Sequence, residues 1–193
     1  MKINIFSRFL LISIIPLIVY TNLPAQNSLT YFKIGIPSNF GNTFYSDWDG
    51  IINVGFQYSN LRKRNLYLNI YFNYDRFKDS RYDWNSKQDL YKLGLGLQYK
   101  FMISELVNLF PQIGLGYVYQ NISNEQFDSS VDNSGLNVLT EIDVLFKVTE
   151  KLNVGFGLRY DFVRLALPDY AGDSSYNRCI HTLTPTAQIA VGI

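Results

Sequence analysis

Apolar residues alternate with polar or small residues at period two through most of the chain. The clearest run extends from Tyr91 to Phe101, where apolar or aromatic residues are separated by lysine, glycine or glutamine. Period two places successive side chains on opposite faces of a β-strand, whereas a helix has a period of 3.6 residues. The pattern therefore predicts strands that each have one apolar and one polar face.

Eight such runs follow one another: residues 29–37, 52–58, 66–75, 91–101, 109–120, 136–148, 152–162 and 183–193. Most have the ~9–11 residues that a tilted strand needs to cross a bilayer, and strands of soluble proteins average only ~5–6 residues. The sequence predicts an all-β fold, an eight-stranded antiparallel up-and-down transmembrane β-barrel. The barrel must close, because lipid offers no partner to free backbone groups.

Long and short connections alternate between these runs. The long ones are residues 38–49, 76–90, 121–134 and 164–178, and the short ones are 59–65, 102–108 and 149–151. Outer-membrane barrels have short periplasmic turns and longer external loops. We therefore expect four external loops and both termini in the periplasm.

The polar face of the runs carries charges, among them Lys33 and Asp75. A narrow lumen accommodates charges when opposite signs pair across it. The predicted lumen network consists of Lys92, Lys100, Glu141, Asp143, Lys147, Arg159 and Asp161. Glycines on the same face are expected to leave room for neighbouring side chains.

Aromatic residues gather at both ends of the apolar face. At the long-loop end these are Tyr74, Tyr91, Tyr117, Tyr119, Tyr160 and Phe162, and at the other end Tyr58, Tyr99, Phe101 and Phe146. Aromatic girdles of this kind mark the two membrane interfaces. They favour lipid outside the barrel over a soluble barrel with an apolar interior.

The first 25 residues are predicted to be a cleaved signal peptide, and residues 26–193 the barrel domain. Lys2 and Arg8 supply the positive region, and the apolar run at 9–20 is too short for the ~20 residues of a spanning helix. No cysteine comes directly after this run, so a lipoprotein anchor is not expected. Cys179 is the one cysteine, so no intramolecular disulfide is possible.

Charge and composition give no sign of nucleic-acid binding. Lys and Arg number 17 against 16 Asp and Glu, so the chain has no basic excess to attract phosphates. We expect no nucleic-acid partner and no cofactor.

The single histidine, His181, is the one candidate for catalysis. It falls on the same face of the last strand as Leu183, which is the apolar face, and it lies near Ser174 and Ser175 in sequence. Some outer-membrane barrels that modify lipid A use His and Ser on the lipid-facing rim, but Cys179-Ile180-His181-Thr182-Leu183 lacks the His-X-Ser-Asn pattern of the deacylases. An interfacial histidine is the favoured interpretation, and no catalytic residue is predicted.

Other reactive side chains are interpreted as structural. Cys179 has no adjacent base and alone forms no metal site. Glu141 and Asp143 are better placed for ion pairs than for acid–base chemistry. The loop acids Asp79, Asp83, Asp128 and Asp132 lack the spacing of an EF-hand. No metal site is predicted.

The signal, the eight runs, the alternating connections and the C-terminal alternating strand resemble those of the small OmpA/OmpX-type outer-membrane barrels. The resemblance covers the chain after its signal, although many members end in an aromatic residue and this chain ends in Ile193. It implies residence in the outer membrane of a Gram-negative bacterium, among lipid and lipopolysaccharide. It also implies that the barrel-assembly machinery recognises the last strand.

The expected function is non-enzymatic. An eight-stranded barrel is filled by its own side chains, whereas porins use ~16–18 strands, so a pore is not expected. Aromatic residues of the long loops, such as Trp48 and Trp84, suit adhesion or binding of a protein or envelope component. The alternatives are a lipid A-modifying enzyme centred on His181 and an accessory barrel of a secretion or assembly machine.

Overall fold

The computed structural model describes residues 28–41, 48–79, 86–124, 129–166 and 179–193. The predicted signal peptide, residues 1–25, lies outside the described residues. The described residues form ten strands: β1 Ser28–Gly35, β2 Ser38–Phe40, β3 Trp48–Lys63, β4 Leu66–Asp79, β5 Ser86–Tyr99, β6 Phe101–Met102, β7 Val107–Asn124, β8 Ser129–Lys147, β9 Leu152–Leu165 and β10 Cys179–Gly192.

Eight of these strands close into a ring. The order is β1, β3, β4, β5, β7, β8, β9 and β10, each antiparallel to the next, and β1 pairs with β10 from Leu29↔Gly192 to Gly35↔Thr186. Closure gives each strand two neighbours and leaves no edge. The predicted all-β, eight-stranded, antiparallel up-and-down barrel is confirmed.

The short strands β2 and β6 extend the ring without adding to it. β2 follows β1 after Ile36 and Pro37 and pairs with the same neighbour, with Phe40 opposite His181 on β10. β6 follows β5 and pairs with β7, with Phe101 opposite Leu109. Both are continuations of longer strands.

The strands reach farther toward the long loops than the apolar pattern predicted. β7 has 18 residues and β8 has 19, and their pairing continues to Asn124↔Ser129. Asn121 donates a hydrogen bond of 2.6 Å to Asp132 across this extension. Backbone pairing does not require an apolar face, so the predicted loop bounds 38–49, 76–90, 121–134 and 164–178 were too wide.

The turns at the opposite end are tight. β3 and β4 are joined by Arg64 and Asn65, and Arg64 adopts the positive φ of 51° that two-residue hairpin turns favour. In the turn between β8 and β9, the hydroxyl of Thr149 accepts a hydrogen bond of 3.0 Å from the amide of Leu152. We call this the short-turn end and its opposite the long-loop end.

The barrel is polar inside and apolar outside. Inward-facing Lys92 and Asp161 are 0% exposed, whereas outward-facing Leu115 and Leu136 are 68% and 70% exposed. This arrangement is the reverse of a soluble protein core. Among the described residues, no helix has the length and hydropathy needed to cross a membrane.

Candidate functional site

The lumen is filled by three layers of side chains. An apolar layer at the short-turn end contains Tyr31, Tyr67, Phe110, Leu145 and Ala190. A second apolar layer at the long-loop end contains Trp48, Phe77, Leu90, Val118, Val163, Leu165 and Ile180. Between them lies a polar layer that holds two buried ion clusters.

The first cluster, which we call the four-residue cluster, joins Asp75, Lys92, Arg159 and Asp161. The Lys92 ammonium lies 2.5 Å from Asp75 and 2.9 Å from Asp161. The Arg159 guanidinium lies 3.1 Å from Asp75 through Nη2 and 2.8 Å from Asp161 through Nε. Two cations and two carboxylates therefore alternate around a closed, formally neutral ring that ties β4, β5 and β9 together.

Amide side chains complete the hydrogen bonding of this cluster. Asn53 donates to Asp75, Asn137 donates to Asp161 at 3.1 Å, and Arg159 donates to the Oδ1 of Asn73 at 2.7 Å. A buried ion pair offsets the loss of hydration only when its remaining donors and acceptors find such partners. The four-residue cluster meets this condition through three different strands.

The second cluster, the three-residue cluster, joins Lys33 with Glu141 and Asp143. The Lys33 ammonium lies 2.8 Å from Oε2 of Glu141 and 2.9 Å from Oδ2 of Asp143. All three side chains are buried, and one cation faces two carboxylates. The contact spans the lumen from β1 to β8, with an apolar layer toward each end of the barrel.

The structure brings together five of the residues predicted for the lumen network: Lys92, Glu141, Asp143, Arg159 and Asp161. The prediction for Lys147 is wrong, because this last residue of β8 lies beyond Leu145 of the apolar layer and is exposed. Lys100 follows the end of β5, is half-buried and belongs to neither cluster. Alternation gives the face of a residue but not its depth along the barrel.

Two residues of the clusters were missed as network members, Lys33 and Asp75. Both share the parity of the polar face, which is the signal that identifies them in the sequence. The partner of Lys33 on β8 is 110 positions away in the chain, at Asp143. Such a separation is bridged only once the ring has closed.

Inward glycines make room for a neighbouring side chain, as predicted, and the structure identifies that side chain as Tyr71. The buried Tyr71 ring lies over Gly94, Gly114 and Gly116 of β5 and β7. A Cβ at Gly114 would approach the ring to 2.8 Å, and one at Gly94 would overlap its phenol group. The glycines of these two strands are thus part of the lumen packing.

All the aromatic residues of the two predicted girdles are half-buried or exposed. At the long-loop end, the rings of Tyr74 and Tyr91 have centroids 5.1 Å apart, and those of Tyr91 and Tyr119 are 6.1 Å apart. At the short-turn end, Tyr99 and Phe101 are 4.7 Å apart. Tyr117, Tyr160, Phe162 and Tyr58 have the same outward parity on their strands.

His181 lies in an aromatic environment at the long-loop end of β10. Its Nδ1 is 2.9 Å from the hydroxyl of Tyr160. The rings of Phe162 and Phe40 lie 5.2 Å and 5.8 Å from its own. Ser174 and Ser175 lie outside the described residues.

The other candidate ligands are separated from one another. Asp79 is buried on β4, Asp132 is exposed on β8, and Cys179 is half-buried at the start of β10. Asp83 and Asp128 lie outside the described residues. No group of His, Cys, Asp and Glu in the described part of the chain has the arrangement of a metal site.

The structure corrects the interpretation of Trp48 as an exposed contact residue. Trp48 is 3% exposed and packs in the apolar layer at the long-loop end. Because β3 begins at this residue, its side chain follows the inward parity of the strand. Trp84 lies outside the described residues.

No protein-family model matches the chain, and no curated protein matches it in sequence. Solved structures do match it. Neisserial surface protein A (NspA) gives a TM-score of 0.64 at 14% identity, over 86% of this chain and 97% of that chain. Ail, the attachment invasion locus protein of Yersinia pestis, gives 0.50 at 12% identity, over 87% and 99%. The outer membrane enzyme PagL gives 0.44 at 15% identity, over 86% and 99%.

The likenesses to NspA and Ail extend over nearly the whole length of each solved chain, so they describe one architecture rather than a shared fragment. They agree with the ring of eight antiparallel strands. They confirm the resemblance found in the sequence. The chain therefore has the fold of the small OmpA/OmpX-type outer-membrane β-barrels.

Proposed function

We propose that the protein is a non-enzymatic integral protein of a Gram-negative outer membrane whose four external loops make contacts at the cell surface. The outward faces of the strands carry large apolar side chains, many of them more than 40% exposed. Exposed apolar surface on this scale is uncommon in soluble monomers. A surrounding bilayer removes it from water, and the two aromatic girdles then lie at the membrane interfaces.

The filled lumen is the observation that carries the proposal. Two apolar layers and the buried ion clusters between them occupy the interior. A barrel of eight strands has an interior just wide enough for its own side chains. Because side chains occupy this interior, the surfaces that we propose to be functional are the loops and the lipid-facing wall.

Conductance in planar bilayers tests the filled lumen. We expect the purified protein to give no currents of porin size. The variant Tyr71→Ala removes a ring from the polar layer and serves as a comparison for a loosened lumen. Porin-sized currents from the unmodified protein would contradict the proposal.

The orientation is proposed to be that of outer-membrane barrels in general, with the long loops outside and both termini in the periplasm. An epitope inserted within residues 80–85 is expected to bind antibody on intact cells. The same epitope within residues 103–106 is expected to bind only after the outer membrane is permeabilised. The reverse pattern would overturn this orientation.

Attachment to a host-cell surface is the first loop contact to test. The name of Ail describes that protein as an attachment invasion locus protein, and the shared fold supports asking the same of this chain. Replacing Arg81, Tyr82, Asp83 and Trp84 by alanine is expected to lower binding of expressing cells to a host-cell layer. A matched variant with the alanines at 103–106, in a short turn, is expected to bind normally.

The candidate partners beyond a host surface are lipopolysaccharide around the barrel and the barrel-assembly machinery, through β10. Crosslinking from the outer edge of β10 during assembly tests the second of these. Capture of the machinery by probes on β10 but not on β5 is the expected result.

The favoured alternative is a lipid A-modifying enzyme, because His181 and Tyr160 form a hydrogen-bonded pair on the outward side near the long loops. Mass spectrometry of lipid A from cells with and without the protein tests this alternative. Altered lipid A that reverts with His181→Ala would replace the non-enzymatic proposal. Unaltered lipid A would support it.

A further inference from the structure

We infer that the turn between β3 and β4, at the short-turn end, binds the headgroup of an anionic phospholipid. Lys63 and Arg64 contact the phosphate, and the acyl chains lie along the outward side chains of β4 and β5. This ligand depends on the proposed membrane location of the barrel, which places the turn beside one leaflet of the bilayer.

Lys63 stands on the lipid-facing side of the wall. It pairs in register with Leu66 of β4, and Leu66 pairs with Tyr99 of β5. Laterally paired residues lie on the same face of a sheet. Leu66 and Tyr99 are outward, at 36% and 41% exposure, and Lys63 is exposed as well. A cation therefore shares a row with an aromatic residue of the short-turn girdle.

A β-bulge gives Lys63 this direction. Leu61 faces inward and packs against the apolar layer at the short-turn end, so simple alternation would turn Lys63 inward too. The register shifts between Leu61 and Lys63, because Arg62 is an extra residue on β3 that has no partner of its own on β4. Bulges of this kind redirect side chains. Here the bulge moves a lysine from the lumen side to the lipid side.

Arg64 adds a second charge in the turn itself, where its φ is 51°. Glycine and asparagine are the residues that such a position favours, because other side chains are strained there. The chain has an arginine despite this strain. Arg62, Lys63 and Arg64 are consecutive and all exposed, so the turn presents basic side chains in three successive positions.

No carboxylate of the described chain neutralises this turn. Neither Lys63 nor Arg64 forms an ion pair with a described residue. The acids of the short-turn end, Glu105 and Glu150, lie in the other two short turns. Lys and Arg beside a membrane attract anionic headgroups, and their long side chains reach the headgroup level from an apolar surface.

The apolar surface continues from the turn along both strands. Leu68 pairs with Leu97, and Ile70 pairs with Leu95, in the next two outward rows of β4 and β5. Leu97 and Leu95 are 49% and 60% exposed. An acyl chain that lies along these rows leaves its phosphate at Lys63 and Arg64. The order of charge and apolar surface on the wall thus matches that of an anionic phospholipid.

Native mass spectrometry of the full chain, purified and delipidated, measures binding of phosphatidylglycerol and of phosphatidylcholine with the same acyl chains. We expect phosphatidylglycerol to bind about 25-fold more tightly, about fivefold for each of the two charges. The double variant Lys63→Gln with Arg64→Gln is expected to bind both lipids alike. Lys63→Arg with Arg64→Lys conserves both charges and is expected to keep the preference.

The matched control removes two charges from the same end of the barrel but from the turn between β8 and β9. Lys147→Gln with Lys151→Gln is expected to keep the phosphatidylglycerol affinity within about twofold, because salt screens charges on a separate turn. An equal loss in this control would overturn the inference, since it would show a general effect of net charge. Retained preference in the Lys63 and Arg64 double variant would overturn it as well.

Two competitors separate the lipid from other anions. Inorganic phosphate and a poly-glutamate peptide are each expected to leave bound phosphatidylglycerol in place. Displacement by phosphate would assign the turn to a free anion, and displacement by the peptide would assign it to an acidic protein. Either result contradicts a lipid site.

Insertion of each variant into phosphatidylcholine vesicles, followed by a heat-dependent gel shift, is measured separately. Failure of the unmodified chain to insert contradicts the proposed function. Insertion without a preference for phosphatidylglycerol contradicts the lipid site alone.

Discussion

The two ion clusters of the lumen are built from the same residue types but differ in balance. In the four-residue cluster, two cations alternate with two carboxylates and three asparagines supply further hydrogen bonds. In the three-residue cluster, Lys33 is the one cation of the described residues that lies within ion-pair distance of Glu141 and Asp143. Each charge of the first cluster therefore contacts two charges of opposite sign, while both carboxylates of the second cluster contact the same cation.

This contrast indicates different tolerances to mutation. Removing one partner of a buried, balanced set leaves an uncompensated charge, which destabilises by about 3–5 kcal/mol. Removing the surplus carboxylate of an unbalanced set leaves a matched pair behind. The same chemical change is therefore expected to have unequal effects in the two clusters.

The largest effect is expected for Arg159→Met. It leaves Asp75 and Asp161 with Lys92 as their single cation and removes the hydrogen bond to Asn73. We expect the free energy of unfolding to fall by about 3–5 kcal/mol, measured by urea titration in lipid vesicles. Arg164→Met, an exposed arginine on the same strand, is the control and should unfold like the unmodified chain. Equal unfolding of both variants would contradict the importance of the cluster.

A smaller loss is expected for Asp161→Asn. The substitution keeps the shape of the side chain but removes the negative charge that faces Lys92 and Arg159, which then share Asp75. The loss of charge-assisted hydrogen bonds is expected to lower the free energy of unfolding by about 2–3 kcal/mol. The same urea titration measures it, and a change below about 1 kcal/mol would show that Asp75 alone neutralises both cations.

Asp143→Asn is the matched change in the three-residue cluster. Lys33 keeps Glu141 at 2.8 Å, so a one-to-one pair remains. We expect a change in unfolding free energy of less than about 1 kcal/mol, smaller than that of Asp161→Asn in parallel titrations. A larger loss than for Asp161→Asn would reverse the comparison, since both carboxylates would then be required by Lys33.

The smallest effect is expected for Lys147→Gln. The alternation of polar and apolar residues predicted that Lys147 belongs to the lumen network, but it is exposed at the end of β8. Surface substitutions of this kind usually change stability by less than about 0.5 kcal/mol. A loss comparable to that of Asp161→Asn would mean that Lys147 supports the lumen after all.

The sequence identified the fold because a barrel that is polar inside and apolar outside imposes period two on every strand. Tyr91–Phe101 shows this in its simplest form. The same rule correctly assigned Lys92 and Asp161 to the interior. It could not pair them, because pairing across a lumen depends on strand tilt and closure, which alternation does not contain.

The depth of a residue along the barrel axis was the second quantity that the sequence could not predict. Asp143 and Lys147 have the same parity on β8, yet one is fully buried and the other is exposed. Likewise, nothing in the composition around Trp48 distinguishes a loop aromatic from the first inward residue of β3.

The seam between β1 and β10 makes the barrel a cooperative unit. Residues at the two ends of the described chain, such as Leu29 and Gly192, supply each other's backbone partners. A sheet that lacks either strand would present two rows of unpaired amides and carbonyls to hydrocarbon, where each unpaired group costs several kcal/mol. Insertion and closure are therefore coupled, and a seven-stranded intermediate has no stable place in the lipid interior.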